Sequence, residues 1–147
     1  MFSMWLKWTN REQNENIKYP GIYIICHSEV DIEGSPFEWN ENIIYIGMTN
    51  SKQGLRGRLK QFDNTLRGKS GHGGASRVIF KYKENLTLVE NLYVAVQYFE
   101  CDVKSKQVED LLVMGGVASY EYVCFAEYVK RYNRLPEFND MEKSPKK

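Results

Sequence analysis

The sequence predicts an α+β fold, in which a small, mainly antiparallel sheet of three strands is flanked by helices. Three short segments rich in β-branched and aromatic residues indicate the strands: Gly21 to Cys26, Asn42 to Gly47 and Leu92 to Phe99. Segments whose apolar residues recur every three or four positions indicate helices. Their order along the chain is β-β-α-α-β-α-α, which is typical of a sheet packed against helices.

The first two predicted strands are separated by a polar, acidic segment, residues 28–41, which contains Gly34 and Pro36. We expect it to form an inserted hairpin loop, and loops of this length often carry function. Residues 1–19 then form an N-terminal extension, and residues 140–147 form a charged, flexible tail. The remaining segments read as continuous, so we expect one domain over residues 1–139.

The predicted helices follow from spacing and from helix-ending residues. Between Gly54 and Leu66, apolar residues recur at helical spacing with basic residues around them, which indicates an amphipathic helix with a cationic outer face. A glycine-rich loop over residues 68–74 ends it. Residues 75–82 fit either a short helix or a strand. Residues 105–114 and 119–132 have helical patterning, and Gly115-Gly116 between them predicts two separate helices.

Three cysteines, an odd number without CxxC spacing, argue against a disulfide framework or a structural zinc site and favour a cytoplasmic protein. No apolar run approaches the roughly 18 residues needed to cross a bilayer, so we expect no membrane partner.

Charge is strongly segregated although the formal net charge is +1. Residues 1–49 carry −4, residues 50–83 carry +8, residues 84–127 carry −6 and residues 128–147 carry +3. A polyanion would be attracted to the second segment. Charge alone is equally consistent with a solvated helix face. The candidate DNA contacts in or beside this helix are Lys52, Arg56, Lys60, Arg67, Lys69 and Arg77.

Two tripeptides make the prediction more specific: Gly21-Ile22-Tyr23 and Tyr45-Ile46-Gly47, each on a predicted strand and followed by a helix that bears arginines. This arrangement resembles the GIY-YIG endonuclease family over roughly Pro20 to Asn139. The resemblance implies the fold described above and hydrolysis of DNA phosphodiester bonds, as in a standalone member of the restriction or phage and mobile-element type. Gly21 and Gly47 would then support the site.

The resemblance also implies roles for other residues. Arg58, with Arg56 as its rival, would bind the scissile phosphate, which suits a permanently charged, planar guanidinium. Glu127 would be the protein carboxylate on Mg²⁺ or Mn²⁺, and Asn139, twelve residues later, would support the site. His72 would receive a proton. Without the resemblance, these would be read as surface arginines, a solvated helix glutamate and a loop histidine.

The two tyrosines complete the expected catalytic set. We expect Tyr23 to activate the attacking water and Tyr45 to orient it, although a tyrosine needs nearby cations to act as a base near neutral pH. The alternative is a pair of half-buried strand aromatics.

The chain departs from the family pattern at three points. Twenty-one residues separate the tyrosines, Met48 stands where many relatives have lysine, and Phe62 stands where others have histidine or tyrosine. Lys52 is a candidate substitute for the lysine.

The sequence thus predicts a metal-dependent DNA endonuclease, with a homodimer as one route to double-strand cleavage. The alternative function is a catalytically inactive module that binds nucleic acid or protein. Target choice would come from the hairpin loop, the basic helix or the glycine-rich loop.

Overall fold

The computed structural model describes residues 1–69, 71–82 and 87–141, and its class is α+β as predicted. Four antiparallel strands form one sheet in the order β1-β4-β2-β3. The strands are β1 (Leu6–Lys7), β2 (Gly21–His27), β3 (Ile43–Thr49) and β4 (Leu92–Tyr98). The helices are α1 (Gly54–Leu66), α2 (Gly73–Tyr82) and α3 (Val108–Tyr132). The prediction of three strands was therefore wrong by one.

The additional strand, β1, belongs to the segment predicted as an N-terminal extension. Leu6 pairs with Val94 at the edge of β4, and two 3-10 helices, Trp8–Gln13 and Glu15–Lys18, follow. Trp8 and Ile17 are buried in the core. A two-residue strand shows no alternation of apolar and polar residues, so periodicity could not reveal it.

Each face of the sheet carries its own apolar core. On one face, α1, α2 and the N-terminal 3-10 helices cover Tyr23, Ile25 and Val96. On the other face, α3 covers Ile24 and Ile46. Strand β3 lies at the edge of the sheet beside β2. It contacts α1 on one face of the sheet and α3 on the other. The candidate catalytic tyrosines lie on the face that α1 and α2 cover.

Helix α3 is continuous from Val108 to Tyr132, so the prediction of two helices interrupted at Gly115-Gly116 was wrong. A glycine inside a helix costs only about 1 kcal/mol relative to alanine. Packing of Val117, Cys124 and Tyr128 against the sheet offsets that cost. The helix ends at Asn133, which adopts a left-handed conformation with φ 58°.

The predicted hairpin is present, since β2 and β3 are antiparallel neighbours joined by the loop over residues 28–41. Ile32, Phe37 and Trp39 of this loop pack on the core beneath α3, and the Phe37 ring lies 4.5 Å from that of Phe2. The loop therefore covers one face of the sheet. Its charged residues are five acids and no base.

The segment left open as helix or strand is helical and forms most of α2. One residue of the predicted glycine-rich loop, residue 70, and residues 142–147 of the predicted tail lie outside the described residues. Among the described helices, none has both the length and the apolar character required to span a bilayer.

Candidate active site

Tyr23 and Tyr45 come from neighbouring strands and lie side by side, with ring centroids 6.0 Å apart. Tyr23 pairs with Gly47 across the two strands. A Cβ at Gly47 would come within 2.3 Å of the Tyr23 ring, so only glycine leaves room for that ring. A Cβ at Gly21 would lie 2.1 Å from the Gln97 carbonyl oxygen on β4. Close packing therefore requires both glycines, Gly47 against the Tyr23 ring and Gly21 against the backbone of β4.

A third glycine, Gly74 at the start of α2, makes room for Tyr45. A Cβ there would lie 2.5 Å from the Tyr45 ring. Sequence analysis had placed Gly74 in a loop and assigned it no part in the site. The close contact fixes the Tyr45 ring against the first turn of α2.

His72 caps the N-terminus of α2. Its carbonyl oxygen accepts the hydrogen bond of Ser76 N–H at 2.9 Å, and its Nδ1 accepts that of Ala75 N–H at 3.2 Å. Because Nδ1 accepts, the proton of the neutral ring is on Nε2. Nε2 lies 2.7 Å from the Tyr23 hydroxyl oxygen, so His72 donates a hydrogen bond to Tyr23. This direction is opposite to the one expected for a histidine that takes a proton from Tyr23.

The surroundings of His72 keep its ring neutral. The residue is 1 % exposed, and its ring contacts Phe62 at 4.8 Å and Tyr45 at 5.6 Å between centroids. Burial lowers the pKa of His72 to about 3, with further contributions from the charges of Arg58 and Arg77. Phe62, at the position where a histidine or tyrosine was expected, therefore acts as an apolar wall of the site.

The two tyrosines differ in their access to solvent. Tyr23 is fully buried, and burial raises its pKa well above the ordinary value. Tyr45 is partly exposed. Burial also raises the pKa of Tyr45, but the charges of Arg58 and Arg77 lower it, and so does a hydrogen bond from Tyr23. The Tyr23 hydroxyl and the two arginines therefore offset part of the effect of burial on the pKa of Tyr45.

Arg58 lies on α1 at the edge of a polar cleft of about 620 Å³. Its NH1 donates to Gln61 Oε1 at 2.5 Å, which holds the guanidinium along the helix. The cleft continues past Arg58 and Lys60 along carboxamide side chains, those of Asn50, Gln53, Gln61 and Asn64. The cleft offers positive charge and hydrogen-bonding side chains together. These groups suit a ligand that carries a phosphate ester and further polar groups.

Arg77, expected at the surface as a DNA contact, is 7 % exposed. Its Nε donates to the Phe138 carbonyl oxygen at 2.8 Å. From this position its charge lowers the pKa values of Tyr45 and His72. Arg77 thus belongs to the electrostatic environment of the site, which sequence analysis had not foreseen.

Glu127 is paired with Arg131, four residues later on α3, with Arg131 Nε 2.9 Å from Glu127 Oε1. Glu121 lies six residues earlier, about 120° away around the helix axis. It follows the buried Val117 by four positions and precedes the buried Cys124 by three, so it lies on the face that packs against the sheet. Glu121 is therefore a second candidate for the carboxylate of the site, beside Glu127.

Electrostatic coupling ties Glu121 to the tyrosine side of the site. Burial raises the pKa of Glu121, and the charge of Arg58 opposes that shift. Glu121 in turn raises the pKa of Tyr45. The buried positions of α3 at spacings of three and four would have revealed Glu121 in the sequence, whereas the spacing to Asn139 taken from the resemblance pointed to Glu127.

Asn139 lies in the 3-10 helix Glu137–Asn139 and binds the backbone of Ile46, the middle residue of the second tripeptide. Its Oδ1 accepts from Ile46 N–H and its Nδ2 donates to the Ile46 carbonyl oxygen, both at 2.8 Å. These two bonds hold the exposed edge of β3 next to Tyr45. Asn139 therefore supports the backbone of the second tripeptide.

The other predicted DNA contacts are at the surface but differ in their partners. Arg56 is paired with Glu12 at 3.5 Å, and Arg67 is paired with Asp63 at 2.8 Å. Lys52, Lys60 and Lys69 are exposed on or near α1. Lys60 also lines the cleft beside Arg58.

Comparisons with protein-family models, with curated proteins and with solved structures gave no match. Functional assignment therefore depends on the geometry of the site.

Proposed function

We propose that this protein is a metal-dependent DNA endonuclease that hydrolyses phosphodiester bonds in the cleft beside Arg58. One observation carries the proposal: the partly exposed Tyr45 lies beside the hydrogen-bonded pair His72 and Tyr23, and the charges of Arg58 and Arg77 lower its pKa. A tyrosine in this environment suits proton transfer, and an adjacent arginine suits a phosphate. The resemblance to GIY-YIG nucleases supports the same reading.

Tyr45, rather than Tyr23, is the proposed general base. A base must lie within hydrogen-bonding distance of the attacking water, and the fully buried Tyr23 is closed off from solvent. Tyr45 accepts the proton in its phenolate form, which Tyr23, Arg58 and Arg77 favour. His72 is a positioning residue, since it donates to Tyr23 and fixes the Tyr23 hydroxyl beside Tyr45.

Arg58 is the proposed phosphate ligand. Its guanidinium remains charged at all relevant pH values, and its fork can bind two phosphate oxygens while negative charge develops. Gln61 orients it. We place the DNA along α1, where Lys60 and the carboxamides line the cleft, rather than on the acidic hairpin loop, whose five carboxylates would repel a polyanion.

Glu121 is the proposed protein ligand of a divalent metal, Mg²⁺ or Mn²⁺. The described residues contain no group of three or more histidine, cysteine and acidic side chains able to hold a metal together. A half-buried carboxylate next to a phosphate site nevertheless fits Mg²⁺, which keeps several waters and binds through one or two carboxylates plus substrate phosphate. When bound, Mg²⁺ supplies a Lewis acid that stabilises the departing oxygen.

The proposed reaction is the hydrolysis of a DNA phosphodiester bond. The water oxygen forms a bond to phosphorus, and its proton passes to Tyr45. The bond from phosphorus to the 3′-oxygen breaks, and that oxygen takes a proton from solvent. The products are a 5′-phosphate and a 3′-hydroxyl, a polarity that follows from the family resemblance.

The test is cleavage of supercoiled plasmid DNA with Mg²⁺, with and without EDTA. Arg58→Ala should lower the rate about 10²- to 10³-fold, because a transition-state charge loses its partner. Arg56→Ala is the matched control two residues away, and it should retain the rate within a few-fold because Arg56 is exposed and paired with Glu12.

Full cleavage by Arg58→Ala, or full cleavage in EDTA, would contradict the proposal. Salt-dependent DNA binding without cleavage under either metal would favour the inactive binding module instead.

A further inference from the structure

Helix α3 exposes an unusually apolar outer face. Six large apolar side chains of this one helix are between 38 and 73 % exposed: Val108, Leu111, Leu112, Tyr122, Val123 and Val129. The other face of the helix is buried on the sheet through Val117, Cys124 and Tyr128. Soluble monomers rarely expose a continuous apolar surface of this kind, so it indicates an interaction surface. At about 37 Å, the helix is long enough to form most of an interface.

We propose that this face binds the same face of a second copy of the chain, with the two α3 helices antiparallel about a two-fold axis at Ser119. A two-fold interface requires a surface that is complementary to itself. The proposal does not depend on nuclease activity.

The distribution of large and small residues supports this arrangement. With the axis at Ser119, Leu112 of one copy lies opposite Ala126 of the other. Gly116 lies opposite Tyr122, and Gly115 lies opposite Val123. Three of the exposed bulky residues, Leu112, Tyr122 and Val123, thus meet small residues of the other copy. The two glycines leave open space, since nothing lies within 4 Å of a Cβ built at either position. Helices approach closely where small residues face large ones.

Charge along the helix favours the antiparallel orientation. The first turn carries Glu109 and Asp110, and the last turn carries Lys130 and Arg131. Glu109 and Lys130 are both exposed. About the same axis, Glu109 of one copy lies next to Lys130 of the other at each end of the interface. A parallel arrangement would instead bring like charges together, which disfavours it.

Sedimentation of the whole chain, without DNA, tests the surface. We expect the wild type to sediment as a dimer, at twice the 17.2 kDa mass of the chain. Leu112→Glu should sediment as a monomer with unchanged thermal unfolding of the protomer. Val30→Glu, at a similarly exposed apolar residue in the hairpin loop, is the control and should remain a dimer. A monomeric wild type, or a Leu112→Glu variant that remains dimeric, would overturn the proposal.

A charge exchange tests the orientation. Glu109→Lys and Lys130→Glu should each raise the dimer dissociation constant several-fold, and the double variant should restore it, because each end then has one charge of each sign. A double variant weaker than both single variants would overturn the antiparallel arrangement.

Cross-linking tests the axis. In a Cys101→Ser background, in which Cys26 and Cys124 remain buried, Ser119→Cys should give a covalent dimer with a short bismaleimide. Val30→Cys is the control and should give none. Failure of Ser119→Cys to cross-link, or equal cross-linking of both variants, would overturn the placement of the axis. None of these measurements uses cleavage, so their failure is distinguishable from failure of the proposed nuclease function.

Discussion

Helix α1 helps to bury two polar clusters, one around Asp63 and one around His72 and Tyr23. They differ in what the polar groups of each cluster adjoin. In the first, the Asp63 carboxylate accepts from Trp8 Nε1 and Arg67 Nε, each at 2.8 Å, and Arg11 lies 3.4 Å away. In the second, His72 donates to Tyr23, and the rings of both residues lie against Tyr45. In the first cluster, the Asp63 carboxylate is paired with two arginines. The second cluster lies beside Tyr45, which is partly open to solvent.

The Asp63 cluster therefore has a structural role, whereas the cluster beside Tyr45 has the proposed chemical role. Burial raises the pKa of Asp63, but the hydrogen bonds from Arg67 and Trp8 and the charge of Arg11 outweigh it, so the net shift is downward. That carboxylate is satisfied and has nothing left to transfer. The pKa of Tyr45 is raised by burial and lowered by the charges of Arg58 and Arg77, which suits the role of general base in the proposed function. Variants of each cluster should therefore affect different measurements.

The largest effect is expected at Tyr45. Tyr45→Phe keeps the ring against Gly74 but removes the hydroxyl, so the cleavage rate should fall about 10³-fold, as for loss of a general base. Tyr23→Phe removes a buried hydroxyl that lowers the pKa of Tyr45 and should lower the rate about tenfold. Rates from plasmid cleavage at saturating enzyme measure both. A larger loss in Tyr23→Phe than in Tyr45→Phe would restore Tyr23 as the base.

The rate should also depend on pH through Tyr45. Because the phenolate is the reactive form and burial raises the pKa, the rate should increase with pH through the alkaline range. Replacement of tyrosine by fluorotyrosine, a more acidic phenol, should move the rise to lower pH. An unchanged profile would argue that another group accepts the proton.

The Asp63 cluster should affect stability and leave the chemistry intact. Asp63→Ala removes the acceptor of the buried Trp8 N–H and leaves Arg11 without its carboxylate. The free energy of unfolding should fall by about 3 kcal/mol. Denaturant unfolding measures this change. Cleavage per folded molecule should stay within a few-fold of wild type, and a 10²-fold loss would mean that the two clusters are coupled.

The smallest effect concerns the pH dependence of stability. His72 has a folded pKa of about 3, below its unfolded value near 6.5, so the folded state binds fewer protons. The contribution of neutral His72 to the free energy of unfolding is fully present above pH 6.5. It is lost as the pH falls towards 3, and the loss is about 2 kcal/mol at pH 5. His72→Asn keeps an N-cap acceptor for Ala75 N–H but does not titrate.

Urea unfolding of both proteins at pH 7 and pH 5 gives the comparison. The wild type should lose about 2 kcal/mol more than His72→Asn between the two values. Equal losses would show that His72 is not held neutral by burial.

Much of this arrangement could be predicted from the sequence because it depends on local pattern. The tripeptides predicted β2 and β3, and the spacing of Leu55, Leu59 and Phe62 predicted α1. These elements bring Tyr23, Tyr45 and Arg58 together. The α+β class followed from the same segments. Predictions that depended on tertiary context failed, including the break at Gly115-Gly116, where packing on the sheet outweighed the low helix propensity of glycine.

The roles of individual polar residues were harder to predict. The direction of the hydrogen bond from His72 depends on its place at the start of α2, and a sequence pattern does not give a tautomer. Arg77 was read as a surface charge because its bond to the Phe138 backbone joins segments 61 residues apart. The sequence pattern pointed to Glu127, and the position of Glu121 on the packed face of α3 makes it a second candidate.

The choice between these two glutamates tests the account most directly, because it asks whether the chemistry lies at the Tyr45 and Arg58 cluster. Mg²⁺-dependent plasmid cleavage should be measured for Glu121→Gln and for the matched control Glu127→Gln on the same helix. The account predicts a loss on the order of 10²-fold for Glu121→Gln, whose carboxylate would hold the metal. Glu127→Gln should remain within a few-fold of wild type. Retained cleavage in Glu121→Gln together with loss in Glu127→Gln would contradict the account.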